Sequence, residues 1–156
     1  MKKILVIILV IAAMLVGAVA CLSNGSVSDY ETYNPEIPIF ESAPGRIVVA
    51  VQHLDGRMLI PGMQLPYVEG VTAYTAYSAL RMASQLSSYS GMQSIITRGS
   101  GRMLYVSEMA GLAERAHGAA SGWVFEVNGE RIGVSAGVFA LSDGDVVLWR
   151  YTVDGR

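Results

Sequence analysis

An α+β domain, a small mixed sheet with one main amphipathic helix packed on one face, is the fold class this sequence predicts, and three stretches predict it. In the first, Trp123, Phe125 and Val127 alternate with Val124 and Glu126, the period-2 pattern of a half-buried strand, and Asn128-Gly129 follows as a two-residue hairpin turn. In the second, Asp143-Gly144-Asp145 turns the chain into residues 146–151, a β-branched and aromatic run that reads as a closing strand. In the third, Ala73, Ala76, Tyr77, Leu80 and Ala83 share one face at helical period, with Thr72 or Thr75 placed to cap the helix.

Before the domain come two segments of different composition. Residues 1–21 open on Lys2-Lys3, continue as an uncharged apolar run and end in Ala18-Val19-Ala20-Cys21, the layout of a secretory signal. Its end resembles a bacterial lipoprotein lipobox, with Ala18 standing where Leu is usual, which makes Cys21 the expected lipid attachment site. The competing reading is an uncleaved anchor, because the run is long enough to cross a bilayer as a helix. The lipoprotein is favoured for the cysteine at the boundary and the switch to Ser23-Asn24-Gly25-Ser26. Both readings leave the lysines inside and the domain outside, membrane-anchored through its N-terminus and extracytoplasmic. Residues 22–45, with three prolines and four acids, read as a flexible spacer of roughly 25–30 Å mean span. Within it Ile37, Ile39 and Phe40 are the apolar exception, expected to dock on the domain as an added edge strand or to anchor a partner.

Residues 46–156 carry nine arginines against nine acidic residues, and both lysines of the chain lie in the leader. A balanced charge with no basic run excludes the phosphate neutralisation that nucleic-acid binding needs. Cys21, the only cysteine, lies outside the domain, so neither an internal disulfide nor a thiolate zinc site is available. At 111 residues the domain is large enough to fold on an apolar core alone.

In chain order, residues 46–53 alternate as a strand and Asp55-Gly56 turns it back. Residues 58–60 and 63–68 return, with Pro61-Gly62 marking an edge or bulge. After the helix of residues 73–86, residues 93–97 and 103–106 are strands joined by Arg98-Gly99-Ser100-Gly101-Arg102. Glycines and arginines can cradle an anion, but this stretch lacks the Lys-Ser/Thr of a phosphate loop and reads as a hairpin connection. Residues 108–121 read as a short helical turn running into a small-residue loop. His53 reads as a surface residue at a strand end. His117 beside Glu114 or Glu108 could supply acid and base, yet no nucleophile elbow, His-Glu-x-x-His or domain cysteine accompanies them, so no catalytic residue, metal site or cofactor is predicted.

Three groups of residues, Thr75 to Leu80, Gly122-Trp123-Val124-Phe125-Glu126-Val127-Asn128-Gly129 and Gly144-Asp145-Val146-Val147-Leu148-Trp149-Arg150-Tyr151, carry a resemblance. Together they resemble the transcobalamin-like C-terminal domain family, across essentially the whole of residues 46–152. The resemblance implies a β-grasp-like sheet and gives Thr75, Leu80, Gly122, Asn128, Gly129, Gly144, Asp145 and Trp149 structural roles. It also implies a possible corrinoid (cobalamin) ligand, held in the animal carriers mainly by a helical domain that is absent here. The functional expectation is a membrane-tethered, non-enzymatic module binding a partner protein, a glycan or a small ligand, with a corrinoid-binding accessory as the alternative. Tyr105, Trp123 and Tyr151 are the ligand-binding candidates. Because alternation turns Trp123, Phe125 and Val127 toward the helix and the core, the opposite face and the loops at residues 131–137 and 116–121 are left for function.

Overall fold

Extended, β-branched segments bury one side each, and their hydrogen-bond register decides which sides combine. The computed structural model describes residues 44–155, so Cys21, the leader and the spacer up to residue 43 lie outside the described residues. The elements are β1 (Arg46–Gln52), β2 (Met58–Pro66), α1 (Ala76–Leu86), β3 (Ile95–Arg98), β4 (Tyr105–Met109), β5 (Leu112–Ala113), β6 (Gly122–Val127), β7 (Glu130–Arg131) and β8 (Val146–Thr152). Single 3-10 turns occupy Ser90–Gln93 and Gly101–Met103.

Five strands form a mixed sheet in the order β2-β1-β8-β6-β7, in which β1 and β8 run parallel and the other neighbours antiparallel. A separate three-stranded sheet has the order β3-β4-β5. Register places Val51 and Phe125 on either side of Trp149. One face of the large sheet therefore carries Ile47, Val49 and Val51 from β1, Val147, Trp149 and Tyr151 from β8, and Trp123, Phe125 and Val127 from β6, all buried. Ala79, Leu80 and Ala83 of α1 pack into the same core, and Val106, Met109 and Leu112 of the small sheet enter it too. Alanines on the packing side of α1 let the helix lie close to β1 and β2.

The opposite face is buried as well, though outside that core: Val48 and Leu148 are nearly inaccessible, and Glu126 receives the Arg150 Nε–H at 2.6 Å. Glu126 and Arg150 are diagonal neighbours in the β6–β8 register, which brings their side chains together.

Local signals explain the boundaries. The helix begins at Ala76 rather than Ala73, because Thr75 and Ser78 form a capping box in which each side chain meets the other's backbone N–H. Thr75→Ala removes one half of the box and should lower stability by about 1 kcal/mol, measurable as a shift of the urea midpoint at constant m-value. Pro61-Gly62 does not end β2. The register slips there, Val49 facing Met63 and Ala50 facing Pro61, with Gly62 at φ 99 as the extra residue of an edge-strand bulge. At the other hairpin, Asn128 and Gly129 at φ 53 and 80 form the expected tight turn, although β7 beyond it is only two residues long.

Two expectations are corrected. Residues 108–121 do not form a helical turn: Glu108 and Met109 end β4, and Ala110 and Gly111 at φ 55 and 78 reverse the chain so that β5 pairs back on it. A left-handed alanine gives no composition signal, so this hairpin hides in a helix-like run. The strand expected over residues 103–106 starts later, at Tyr105, because the 3-10 turn fills Gly101–Met103.

Candidate functional site

Where the large and small sheets meet, β4 and β6 approach without pairing, and a cleft of about 280 Å³ opens between them. Leu104, Tyr105 and Val106 form one side, Trp123 and Phe125 the other, and Trp149 also lines it. The loop after β7 closes the third side. That loop is held down by Ser135, whose hydroxyl lies 2.8 Å from the Gly101 carbonyl and 2.6 Å from that of Leu104. Gly137 fits the same contact, since a Cβ there would come within 2.9 Å of the Gly101 carbonyl oxygen. The wall is thus built by close packing and hydrogen bonds, a preformed rather than a collapsible surface.

Two residues of the lining stand out by their polar groups. Trp149 is 2% exposed, and its Nε1–H has no hydrogen-bond partner among the described residues. A buried indole N–H ordinarily finds an acceptor, because leaving it unpaired costs about 1–3 kcal/mol. Arg131, exposed where β7 ends and directly across the register from Glu126, is the one charged residue on the lining among the described residues.

A second, more open depression of about 440 Å³ lies around Asn128 and Asp145. Asn128 and Asp145 are engaged in holding turns: Asn128 Nδ2–H donates to Asp145 Oδ1 at 2.8 Å, Val146 N–H donates to Asn128 Oδ1 at 2.9 Å, and Ser142 N–H donates to Asp145 Oδ2 at 2.7 Å.

Of the three candidate aromatics, Tyr105 and Trp123 come together in the first cleft and Tyr151 does not line it. Tyr105 is 43% exposed, and its hydroxyl reaches Glu114 Oε1 at 3.2 Å. Trp123 is mostly buried, donating from Nε1 to the Leu112 carbonyl at 2.8 Å. Tyr151 stands against Trp123 edge-on at 5.4 Å, with its hydroxyl donating to the Ala113 carbonyl at 2.7 Å and meeting Ser121 Oγ at 3.0 Å. It braces the cleft from outside. The loop at residues 131–137, marked from the sequence for what the core left over, supplies the third wall. Trp149 and Ser135 are the residues that sequence reasoning missed in this role: strand alternation signals burial, not an unpartnered N–H.

The other titratable residues are dispersed. Glu114 is engaged by Arg98 at 3.1 Å as well as by Tyr105, and His117 lies edge-on to Tyr151 at 6.0 Å. His53 Nδ1 sits 3.0 Å from Asp55 in the β1–β2 turn. Burial by itself raises the Asp55 carboxyl, but the Arg57 backbone N–H, His53 and the Arg57 charge outweigh it and hold the group below its ordinary value. Among the described residues no group of His, Cys, Asp and Glu could hold a metal ion, and no helix is long and apolar enough to cross a membrane.

Among the described residues, a mostly β module of two sheets and one α-helix, with an aromatic cleft, is the class of protein that this fold and site define. The chain belongs to the family described as Domain of unknown function (DUF4430), whose model matches residues 70–153, from just before α1 through β8. No curated protein matches it. Among solved structures it is similar to haptocorrin in complex with Cbi, at 12% identity and a TM-score of 0.55, over 74% of this chain and 26% of haptocorrin. It is also similar to a protein of Ruminococcus gnavus ATCC 29149 bearing a provisional metal-binding description, at 16% identity and a TM-score of 0.49, over 69% of this chain and 95% of that one. Haptocorrin is thus a neighbour in fold, and the part matched is about a quarter of it.

Proposed function

We propose that this chain is a membrane-tethered, extracytoplasmic, non-enzymatic binding module of the β-grasp-type, transcobalamin-like kind, and that it takes its ligand in the β4–β6 cleft. The observation that carries this reading is the cleft itself, walled by Tyr105, Trp123, Phe125 and Trp149 with aliphatic side chains between them and held open by the Ser135 hydrogen bonds. Apolar walls with a few fixed polar groups are what ligand sites use to gain affinity from burial and orientation from hydrogen bonds. The non-enzymatic part is supported by the dispersal of the acids and histidines, with Glu114 held between Arg98 and Tyr105. Tethering and location are supported by the leader and by Cys21.

Both tryptophans of the chain line this cleft, so intrinsic fluorescence reads its occupancy directly. With the full-length chain in detergent micelles, screened against glycans, peptides and small molecules, a bound ligand should shift tryptophan emission. Tyr105→Ala should weaken that ligand about tenfold while leaving the thermal midpoint nearly unchanged, since Tyr105 is a rim residue. A ligand indifferent to Tyr105→Ala would move the site elsewhere, and reproducible turnover of a substrate, lost on a point substitution, would replace the non-enzymatic reading. Mass spectrometry of membrane-extracted protein decides whether Cys21 is the lipidated N-terminus.

The likeness to haptocorrin supports a second reading, an accessory that meets a corrinoid together with a separate helical domain or transporter. A corrinoid ring is far larger than a 280 Å³ cleft, so this module could only cover one face of it. Absence of any absorbance or emission change on titration with cobalamins would exclude autonomous binding.

A further inference from the structure

Strand β1 is apolar on both sides. Ile47, Val49 and Val51 enter the core, Val48 and Ala50 alternate with them on the second face, and no polar side chain interrupts residues 47–51. A strand covered on one face only alternates with polar residues, whereas a continuous apolar run beside a parallel partner belongs to strands covered on both. β8 is that parallel partner, and it sets Leu148 next to Ala50. Val48, Ala50 and Leu148 are each 5% exposed or less, and none of them belongs to the core cluster of the first face.

The packing of the described elements is accounted for on the first face. α1 and the small sheet join its core. The loop at residues 136–141 bonds to residues 74–77 at the head of α1, and the loop at residues 113–121 bonds to the Tyr151 hydroxyl, on that same side. What shields the second face is also local. Gln64 and Pro61 of the edge strand β2, directly opposite Val48 and Ala50, are exposed. The cover therefore runs over β1 and β8 and stops short of β2.

The described chain begins at the place from which such a cover would come. Gly45, just before β1, is left-handed at φ 74, donates its N–H to Asp143 Oδ1 at 2.7 Å and accepts from Tyr67 N–H at 3.0 Å. A fixed left-handed residue turns the chain sharply at the head of β1, so the residues before it leave the strand's axis. Residues 37–43 come next, outside the described residues, and Ile37, Ile39 and Phe40 are their large apolar side chains. Seven extended residues reach about 23 Å, the length of β1 itself. Pro38 has no N–H to give a ladder, and Pro61 and the Gly62 bulge interrupt the β2 edge, so this segment suits packing on a face better than pairing at that edge. We propose that residues 37–43 fold back from the Pro44-Gly45 turn and lie across the second face of the large sheet, with Ile37, Ile39 and Phe40 packed on Val48, Ala50 and Leu148. A segment joined to β1 by a single turn acts at an effective concentration on the order of millimolar, which favours it at that face over a second copy or a separate partner. The folded unit then starts near Ile37 rather than Arg46, the spacer shortens to residues 22–36, and any partner for that face has to displace the segment first.

The test uses the full-length chain in detergent micelles, with the thermal midpoint read by circular dichroism. Ile39→Asp/Phe40→Asp sets two charges against an apolar face and should lower the midpoint by about 10 °C. Tyr33→Asp, upstream of the segment, should leave it unchanged. Where the double aspartate variant does not fold, Phe40→Ala carries the test, with an expected drop of about 5 °C. That drop should combine less than additively with Leu148→Ala, which removes the other side of the same contact, and additively with Leu80→Ala on α1, across the sheet. The midpoint should stay constant over a hundredfold range of protein concentration. Four results would each overturn the proposal: no drop in Ile39→Asp/Phe40→Asp, an equal drop in Tyr33→Asp, coupling of Phe40→Ala to Leu148→Ala no stronger than to Leu80→Ala, or a midpoint that rises with concentration, the mark of a second copy on that face.

Discussion

Replacing Arg150 by Met should lower the stability of the domain by about 3 kcal/mol, the lower part of the range for removing one member of a buried ion pair. The Glu126 side chain is 5% exposed and its carboxylate accepts from Arg150 Nε at 2.6 Å, whereas the Arg150 side chain keeps 26% of its surface in solvent. The cost is therefore borne by the acid: without the guanidinium, a carboxylate on the second face of the sheet has lost its charge partner and cannot reach bulk water. Met retains most of the apolar stem of Arg, which separates loss of charge from loss of packing. The double variant Glu126→Leu/Arg150→Met should recover most of the loss, because two apolar side chains at diagonal positions of β6 and β8 leave nothing unpaired. Urea unfolding of the single and double variants gives the coupling as the departure from additivity. Equal destabilisation in both would show that the pair acts through shape rather than charge.

The same pair shows what the sequence reveals and what it withholds. Glu126 stands in a polar position of an alternating strand, and alternation alone assigns it to solvent; the finding that this second face is buried comes from three dimensions. Where a signal is local, the sequence was legible: Asn128-Gly129 marks the turn, Thr75 is one of the two caps it offered and residues 146–151 fall within the closing strand, because each follows from dihedral preference or side-chain period within a few residues. Ala110 shows the limit of that reasoning, since a left-handed alanine is selected by the pairing of β4 with β5 and not by its own preference. The cleft lies further out of reach. It depends on two strands from different sheets, on β5 and β7 being only two residues long, and on Ser135 bonding across 31 positions to Leu104. The sequence could point to Tyr105, Trp123 and the loop at residues 131–137 one by one. It could not separate the two aromatics that share a cleft from Tyr151, which braces it.

Trp123→Ala should cost about 3–5 kcal/mol, the range for removing a large aromatic side chain from a core. Trp123 packs among the buried residues, takes the edge of Tyr151 at 5.4 Å and ties β6 to the end of β5 through Nε1–H and the Leu112 carbonyl at 2.8 Å. In a domain of this size, that loss lowers the thermal midpoint by about 15–30 °C. Trp123→Phe divides the effect. A phenyl ring keeps most of the apolar burial but leaves the Leu112 carbonyl without its donor, an expected loss of about 1–2 kcal/mol. Since the fold survives that change, ligand affinity can be compared between the two aromatic variants. If Trp123 is only a support for the core, Trp123→Phe should bind as the parent does once both are folded. If its indole also forms the wall against which a guest packs, affinity should fall in Trp123→Phe, with Trp149 as the remaining tryptophan to report the titration. Thermal melts at a fixed ligand concentration separate the outcomes, because a bound guest stabilises the fold by RT ln(1 + [L]/Kd), so the midpoint shift shrinks in Trp123→Phe only if the wall matters.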